Sequence, residues 1–380
     1  MIGGRCSAAI SCNGVVHPES SKIMRSAALR LLENDPPTLL SVATAVPKHR
    51  LYQGEVSALA PLMFDRQKSD IDRLMPVFDN AGIATRYSCV PIDWYLQPHG
   101  WRERNQLYLD NAVELLTEAA ENALAEAGRT PKDIAAVVVA STTGIATPSL
   151  DALLLNRLGL PSNILRLPIF GLGCAGGVLG LGHAVALARG LDHGDVLFLA
   201  VELCALTFRQ GDLSKSNIVA AALFGDGASA MVIGRPGSDG VRFGPSGAHT
   251  WPDSLDVMGW HVEDDGLGVL FSRDIPSLVR SDLRPAAEDF LTRFDLTRDD
   301  IAGFICHPGG VKVLDALEDA FDLEPGAMQD ARDVLREHGN MSAVTVLFVL
   351  QRMLRRGLAG RHLMTALGPG FSAGFQILES

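Results

Sequence analysis

Apolar and polar positions along this chain follow two different periods. From Arg104 to Ala127 they recur at helical spacing, with Val113, Leu116, Ala120, Leu124 and Ala127 along one face. Gly128 follows as a residue suited to closing that helix. Ala135 to Ala140 is instead a continuous valine-rich run, the pattern of a strand buried on both faces. Leu39 to Val46, Leu165 to Phe170, Val196 to Val201 and His362 to Leu367 read as further strands, and Val178 to Arg189 as a helix. Strands alternating with helices along the whole chain predict a layered α/β architecture.

The pattern also repeats. Thr130-Pro-Lys-Asp133-Ile134-Ala135 before one strand recurs as Thr297-Arg-Asp-Asp300-Ile301-Ala302 before another. Further on, Gly173-Cys174-Ala175 falls opposite Gly339-Asn340-Met341, and Arg189-Gly190-Leu191 opposite Arg356-Gly357-Leu358. The spacing predicts a duplicated α/β unit about a pseudo-twofold axis. Residues 36–236 are expected to form the first half and 237–380 the second, with 1–35 expected as an extension open to partial disorder. Cys174 and Asn340 then stand at equivalent helix starts, and the twofold brings both toward one cleft.

Composition narrows the function without naming it. The chain of 380 residues is 47% hydrophobic and 20% charged, an ordinary globular balance. A formal net charge of −11 argues against a nucleic-acid binder, which needs a basic face. The six cysteines (Cys6, Cys12, Cys89, Cys174, Cys204 and Cys306) show no Cys-x-x-Cys spacing, so neither a metal site nor a disulfide framework is expected. No apolar run is long enough to span a membrane, and no export signal is read, so the expected location is the cytoplasm.

The candidate chemistry centres on Ile169-Phe-Gly-Leu-Gly-Cys174-Ala-Gly-Gly177, between a strand and a helix. A thiol there feels the positive end of the helix dipole, which lowers its pKa and favours the thiolate. The flanking glycines let a substrate carbonyl approach. The ordinary alternative is a buried structural cysteine. The second half adds Cys306-His307-Pro-Gly-Gly310 at a strand end, and Glu337-His-Gly-Asn340-Met-Ser342-Ala343. Alone, His307 reads as a core histidine and Asn340 as a helix cap. Cys306, on the opposite strand face from His307, reads as core.

Together these strings resemble the thiolase superfamily. They resemble most closely its type III polyketide synthases, the chalcone and stilbene synthase-like enzymes, from about Leu39 to Leu378. Leu223-Phe-Gly-Asp-Gly227, Asp256 to His261 and Gly368-Pro-Gly370 fit the same family. The resemblance implies a thiolase-type αβαβα core, a homodimer, and acyl-CoA and malonyl-CoA as substrates without a metal or other cofactor. It implies Cys174 as the nucleophile that carries the chain, with His307 paired to the thiolate. His307 and Asn340 then donate to the enolate oxygen formed by malonyl decarboxylation. The cycle repeats, and ring closure gives an alkylpyrone or alkylresorcinol-type product. The competing reading is a single-round condensing enzyme, ketoacyl synthase III-like or hydroxymethylglutaryl-CoA synthase-like.

The resemblance also assigns a cavity. Phe224 matches a phenylalanine of its wall, and Val269 stands where the family has a second one. Trp260 replaces a small residue of plant relatives. Thr147, Cys204 and Thr207 fall at positions of the elongation cavity or its dimer wall, where small side chains leave room for a tunnel that takes a long acyl chain. Thr142, Glu202 and Ser342 match a polar network near the nucleophile. The basic helix that binds CoA in plant relatives is poor in lysine here, in Asp79-Asn-Ala-Gly-Ile-Ala-Thr-Arg86. Arg86 and Lys312 are the candidate phosphate contacts.

Overall fold

A computed structural model describes residues 36–64 and 71–380. The extension expected over residues 1–35 lies outside the described residues. The strands are β1 (Thr38–Ala45), β2 (His49–Tyr52), β3 (Thr85–Ser88), β4 (Ile134–Ala140), β5 (Leu165–Ile169), β6 (Asp195–Leu203) and β7 (Asp226–Gly234). They continue as β8 (Val241–Thr250), β9 (Met258–Glu263), β10 (Gly266–Phe271), β11 (Gly303–Cys306), β12 (Arg361–Gly368) and β13 (Ser372–Glu379). The helices that place the site are α1 (Trp101–Glu126), α2 (Gly176–Gly190), α3 (Lys215–Leu223), α4 (Val311–Ala320), α5 (Gln329–His338) and α6 (Thr345–Arg356).

Nine strands form one mixed sheet in the order β11-β12-β13-β8-β1-β7-β6-β4-β5. Its middle is a thin seam, since β1 meets β8 only through Thr38 opposite Arg242 and Leu39 opposite Val241. Outward from that seam the two sides run alike. Both 3-10 turns that lead into β4 and β11 carry the same capping box, in which Asp133 accepts from Thr130 at 2.7 Å and Asp300 from Thr297 at 2.8 Å. The repeat read in the sequence therefore marks equivalent turns.

Small residues explain the layering. Helix α2 buries Gly176, Gly177, Gly180, Ala184 and Ala188, so backbone can approach it from several sides. It packs on β4 and β6 of one half and on β8, β12 and β13 of the other. A side chain at Gly177 has no room, because its Cβ would lie 2.1 Å from the Ala343 carbonyl. Helix α6 packs beside α2 and buries Val346 through Gln351. These two helices form the middle layer. Outside, α1 covers β1, β6 and β7, and the helix Arg284–Thr292 lies against β8. The result is the expected αβαβα thiolase-type core.

Leu116, Ala120 and Leu124 of the expected stripe on α1 are buried, joined by Ala112, Ala119 and Ala123, while Val113 and Ala127 sit at its edge. Alanines admit the closest approach to the sheet, and Ser41 Oγ donates to the Ala123 carbonyl there at 2.7 Å. Gly128 closes the helix with φ +62°. No described helix is long and apolar enough to cross a membrane.

Candidate active site

Cys174 sits in a 3-10 turn, Gly173–Ala175, directly ahead of α2. The matching turn in the second half is Ser342–Val344, ahead of α6. Asn340 lies just before that turn. The two residues thus stand at equivalent helix starts but not at the same step within them. His307 follows β11, where its N–H donates to the Thr365 carbonyl of β12 at 3.0 Å. Cys174, His307 and Asn340 line one cavity of about 420 Å³.

Two backbone bonds tie Asn340 to the other half. Its N–H donates to the Leu223 carbonyl at 2.8 Å, and its own carbonyl accepts from Gly225 at 3.1 Å. This short bridge fixes Asn340 beside Phe224. It requires glycine at 225, where a Cβ would stand 2.4 Å from the His338 carbonyl. The Asn340 amide is oriented as well. Its Oδ1 accepts from the Ser342 N–H at 2.8 Å, and Nδ2 donates to the Gly309 carbonyl at 3.2 Å. Ser342 holds a left-handed φ of +48°, an uncommon state for a non-glycine residue.

The polar network read in the sequence is present. Glu202 is fully buried and accepts from the Thr142 N–H at 3.0 Å and from Ser342 Oγ at 3.4 Å. Thr143, which the sequence reading did not single out, donates its hydroxyl to Glu202 at 2.8 Å. Thr142 Oγ accepts from the Gly173 N–H at 3.1 Å, so the network also holds the nucleophile turn. Burial pushes the Glu202 carboxyl up to about 7 against these donors.

One electrostatic expectation is reversed. Burial pushes the Cys174 thiol up to about 12, opposed by Ser342. Burial likewise pushes His307 down to about 4, and among the described residues neither of its ring nitrogens has a partner. Burial thus opposes charge on each group, against the effect expected from the helix position. The Cys306 thiol is buried and pushed up too, as a core residue should be.

The cavity wall differs in part from the expectation. Phe224 meets Trp260 edge-on with ring centres 6.0 Å apart, and Val269 packs on it from β10. A second aromatic partner of Phe224 is Phe271, two residues beyond Val269, edge-on at 5.8 Å and lining the cavity. The period of a strand places both on one face. Thr147, at the position read as a dimer wall, is exposed in the single chain. Cys204 is fully buried against Ala220 and Phe224 and faces a separate space of about 30 Å³. Thr207 closes the turn after Cys204 by donating to its carbonyl at 2.7 Å, away from the main cavity.

Arg86 is not at the mouth either. It is 2% exposed and donates to the Phe224 carbonyl at 3.2 Å, while burial lowers its pKa to about 10. It supports the wall from behind, because β3 carries it inward. Lys312 does line the cavity and is exposed, together with exposed Lys215 at the start of α3 and Arg273 after β10. No local string marks the last two, which are far apart along the chain. Among the described residues no group of three metal-ligating side chains is found.

Comparison with known proteins shows the family. Residues 25–237 match the family description "Chalcone and stilbene synthases, N-terminal domain", and 246–377 match the corresponding C-terminal domain. The chain is 38% identical over 352 residues to the 1,3,6,8-tetrahydroxynaphthalene synthase of Streptomyces peucetius subsp. caesius, covering 90% of this chain and 93% of that protein. It is 31% identical over 340 residues to the phloroglucinol synthase of Pseudomonas fluorescens, covering 88% and 96%. Among solved structures it resembles the 1,3,6,8-tetrahydroxynaphthalene synthase of Streptomyces coelicolor A3(2), described as a bacterial type III polyketide synthase. The TM-score is 0.85 at 29% identity, covering 90% of this chain and 99% of that one.

Proposed function

This chain belongs to the chalcone and stilbene synthase family as a type III polyketide synthase, an acyltransferase, and on that premise we propose that it extends a fatty acyl-CoA starter iteratively with malonyl-CoA. The observation that carries the reading is the shared cavity of Cys174, His307 and Asn340 behind a mouth bearing Lys215, Arg273 and Lys312. The three cations suit the phosphates of CoA.

Cys174 attacks the starter thioester carbon and CoA leaves as its thiolate. Because burial opposes charge on the thiol and on the imidazole, His307 acts as a base at that moment, taking the thiol proton and returning it to the departing CoA sulfur. Malonyl-CoA then binds and loses carbon dioxide. The electron pair left behind forms an enolate whose oxygen accepts from His307 and Asn340 Nδ2. The enolate carbon attacks the acyl-Cys174 carbonyl, the cysteine sulfur leaves, and the lengthened chain is carried on CoA. Return of that chain to Cys174 starts the next round. The Glu202, Ser342 and Thr142 network is suited to chain release, followed by closure to an alkylpyrone or alkylresorcinol. The active unit is a homodimer.

The test is direct. Radiolabelled decanoyl-CoA should label Cys174, and a Cys174→Ser variant should stay unlabelled. Mass spectrometry should then show two or more malonyl-derived units per product. One unit per product would instead identify a single-round condensing enzyme.

A further inference from the structure

The apolar space open from Cys174 does not run toward Thr147 and Cys204. It runs behind the His307-Pro-Gly-Gly310 loop. Along α4 the cavity wall passes from exposed Lys312 to Leu317, which is 3% exposed. That is roughly 7 Å of descent into the protein at 1.5 Å per residue. Val313 and Leu317 are one helical turn apart and face the same space. Opposite them stand Met258, Ile275, Leu283 and Leu367, all buried. Leu283 ends a π-helical turn, Val279–Leu283, that packs on α4. Such wide turns are frequent at functional sites.

This lobe is suited to a chain and not to CoA itself. Its deep end carries no cation for a phosphate, and an anion there would lie uncompensated in apolar surroundings. Near Cys174 and His307 the lobe carries a threonine hydroxyl. Thr365 is 2% exposed and lines the cavity, and its Oγ has no hydrogen-bond partner among the described residues. Its backbone carbonyl accepts from the His307 N–H, so this hydroxyl stands next to the reacting end. A buried hydroxyl left unpaired is costly, and an oxygen acceptor on a bound chain relieves that cost. A chain extended once on Cys174 carries such an acceptor, the ketone two carbons from its thioester.

We propose that the lobe from Cys174 to Leu317 holds the aliphatic part of the growing chain, and that Thr365 Oγ donates to a ketone oxygen of that chain. The lobe thereby selects aliphatic acyl chains, and Thr365 favours a chain already extended. This rests on the proposed function, since it needs an acyl group on Cys174.

The test uses the full-length enzyme with decanoyl-CoA or acetyl-CoA and malonyl-CoA, with products read by mass spectrometry. Thr365→Val should lower the ratio of multiply to singly extended products about 5-fold, and Thr365→Ser should restore it. Val313→Phe, which fills the lobe, should lower kcat/KM for decanoyl-CoA at least ~10-fold more than for acetyl-CoA. Thermal midpoints near that of the parent establish that the variants fold. Thr365→Val with the parent's product ratio, or Val313→Phe acting equally on both starters, overturns the lobe while Cys174 labelling leaves the proposed function standing. A parent enzyme whose Cys174 takes no acyl label overturns both.

Discussion

The side-chain oxygen of Asn340 accepts the Ser342 amide at 2.8 Å, which turns the Asn340 NH₂ toward Gly309 and the cavity. The donor is thus aimed before any substrate arrives, and preorganised donors contribute most to catalysis. Asn340→Ala should slow malonyl-CoA decarboxylation about 100- to 1,000-fold while starter label still appears on Cys174. Equal loss of both activities would show that Asn340 serves folding instead.

The resting thiol should behave as a thiol. With Cys174 pushed up to about 12, alkylation by iodoacetamide should climb about tenfold per pH unit between pH 7 and 10. A rate already level at pH 7 would mean that a thiolate–imidazolium pair exists before substrate binds.

Glu202 makes a separate pH prediction. Its folded pKa of about 7 lies above the usual 4.5, so its contribution is whole below about pH 4.5 and is lost as pH rises through 7. Glu202→Gln cannot ionise. Its stability relative to the parent should therefore improve between pH 5 and pH 8, by on the order of 3 kcal/mol if the shift is fully expressed. Denaturant midpoints at the two pH values measure this, and a constant difference would refute it.

Gly225→Ala should lower stability by about 1–3 kcal/mol, because its methyl group meets the His338 carbonyl and neither backbone can yield freely. Activity should fall further than the loss of folded protein explains, since the same strand bridge positions Asn340. Comparing active-site titration with thermal midpoints separates the two effects.

Lys312→Ala and Arg273→Ala should each raise KM for malonyl-CoA several-fold with little change in kcat. Both effects should shrink as ionic strength rises, because exposed charges are screened. An unchanged KM in the double variant would place the phosphates elsewhere.

Much of this molecule could be read from local pattern. The β4 valines, the Gly128 stop and both Thr–Asp capping boxes are encoded within a few residues, and each appears where its chemistry puts it. The site was harder. Cys174, His307 and Asn340 announced themselves through the strings around them, and Glu202 through its neighbours in the family. Thr143, Phe271, Lys215 and Arg273 did not, because only the tertiary fold brings them to the site. Arg86 misled for a related reason: charge suggests a surface, but strand β3 turns it inward to serve the Phe224 carbonyl. The thiol pKa also depended on burial, which helix position alone does not reveal.

Gly177 of the first half lies against the Ala343 carbonyl of the second. Similar frameworks meet there, yet one supplies a nucleophile and the other an amide donor. A dimer of identical halves would repeat every side chain on both sides of that contact. Joining both halves in a single polypeptide removes that constraint. Near-symmetry sets the distance between the reacting groups, and a difference in side chains lets one attack while the other steadies charge.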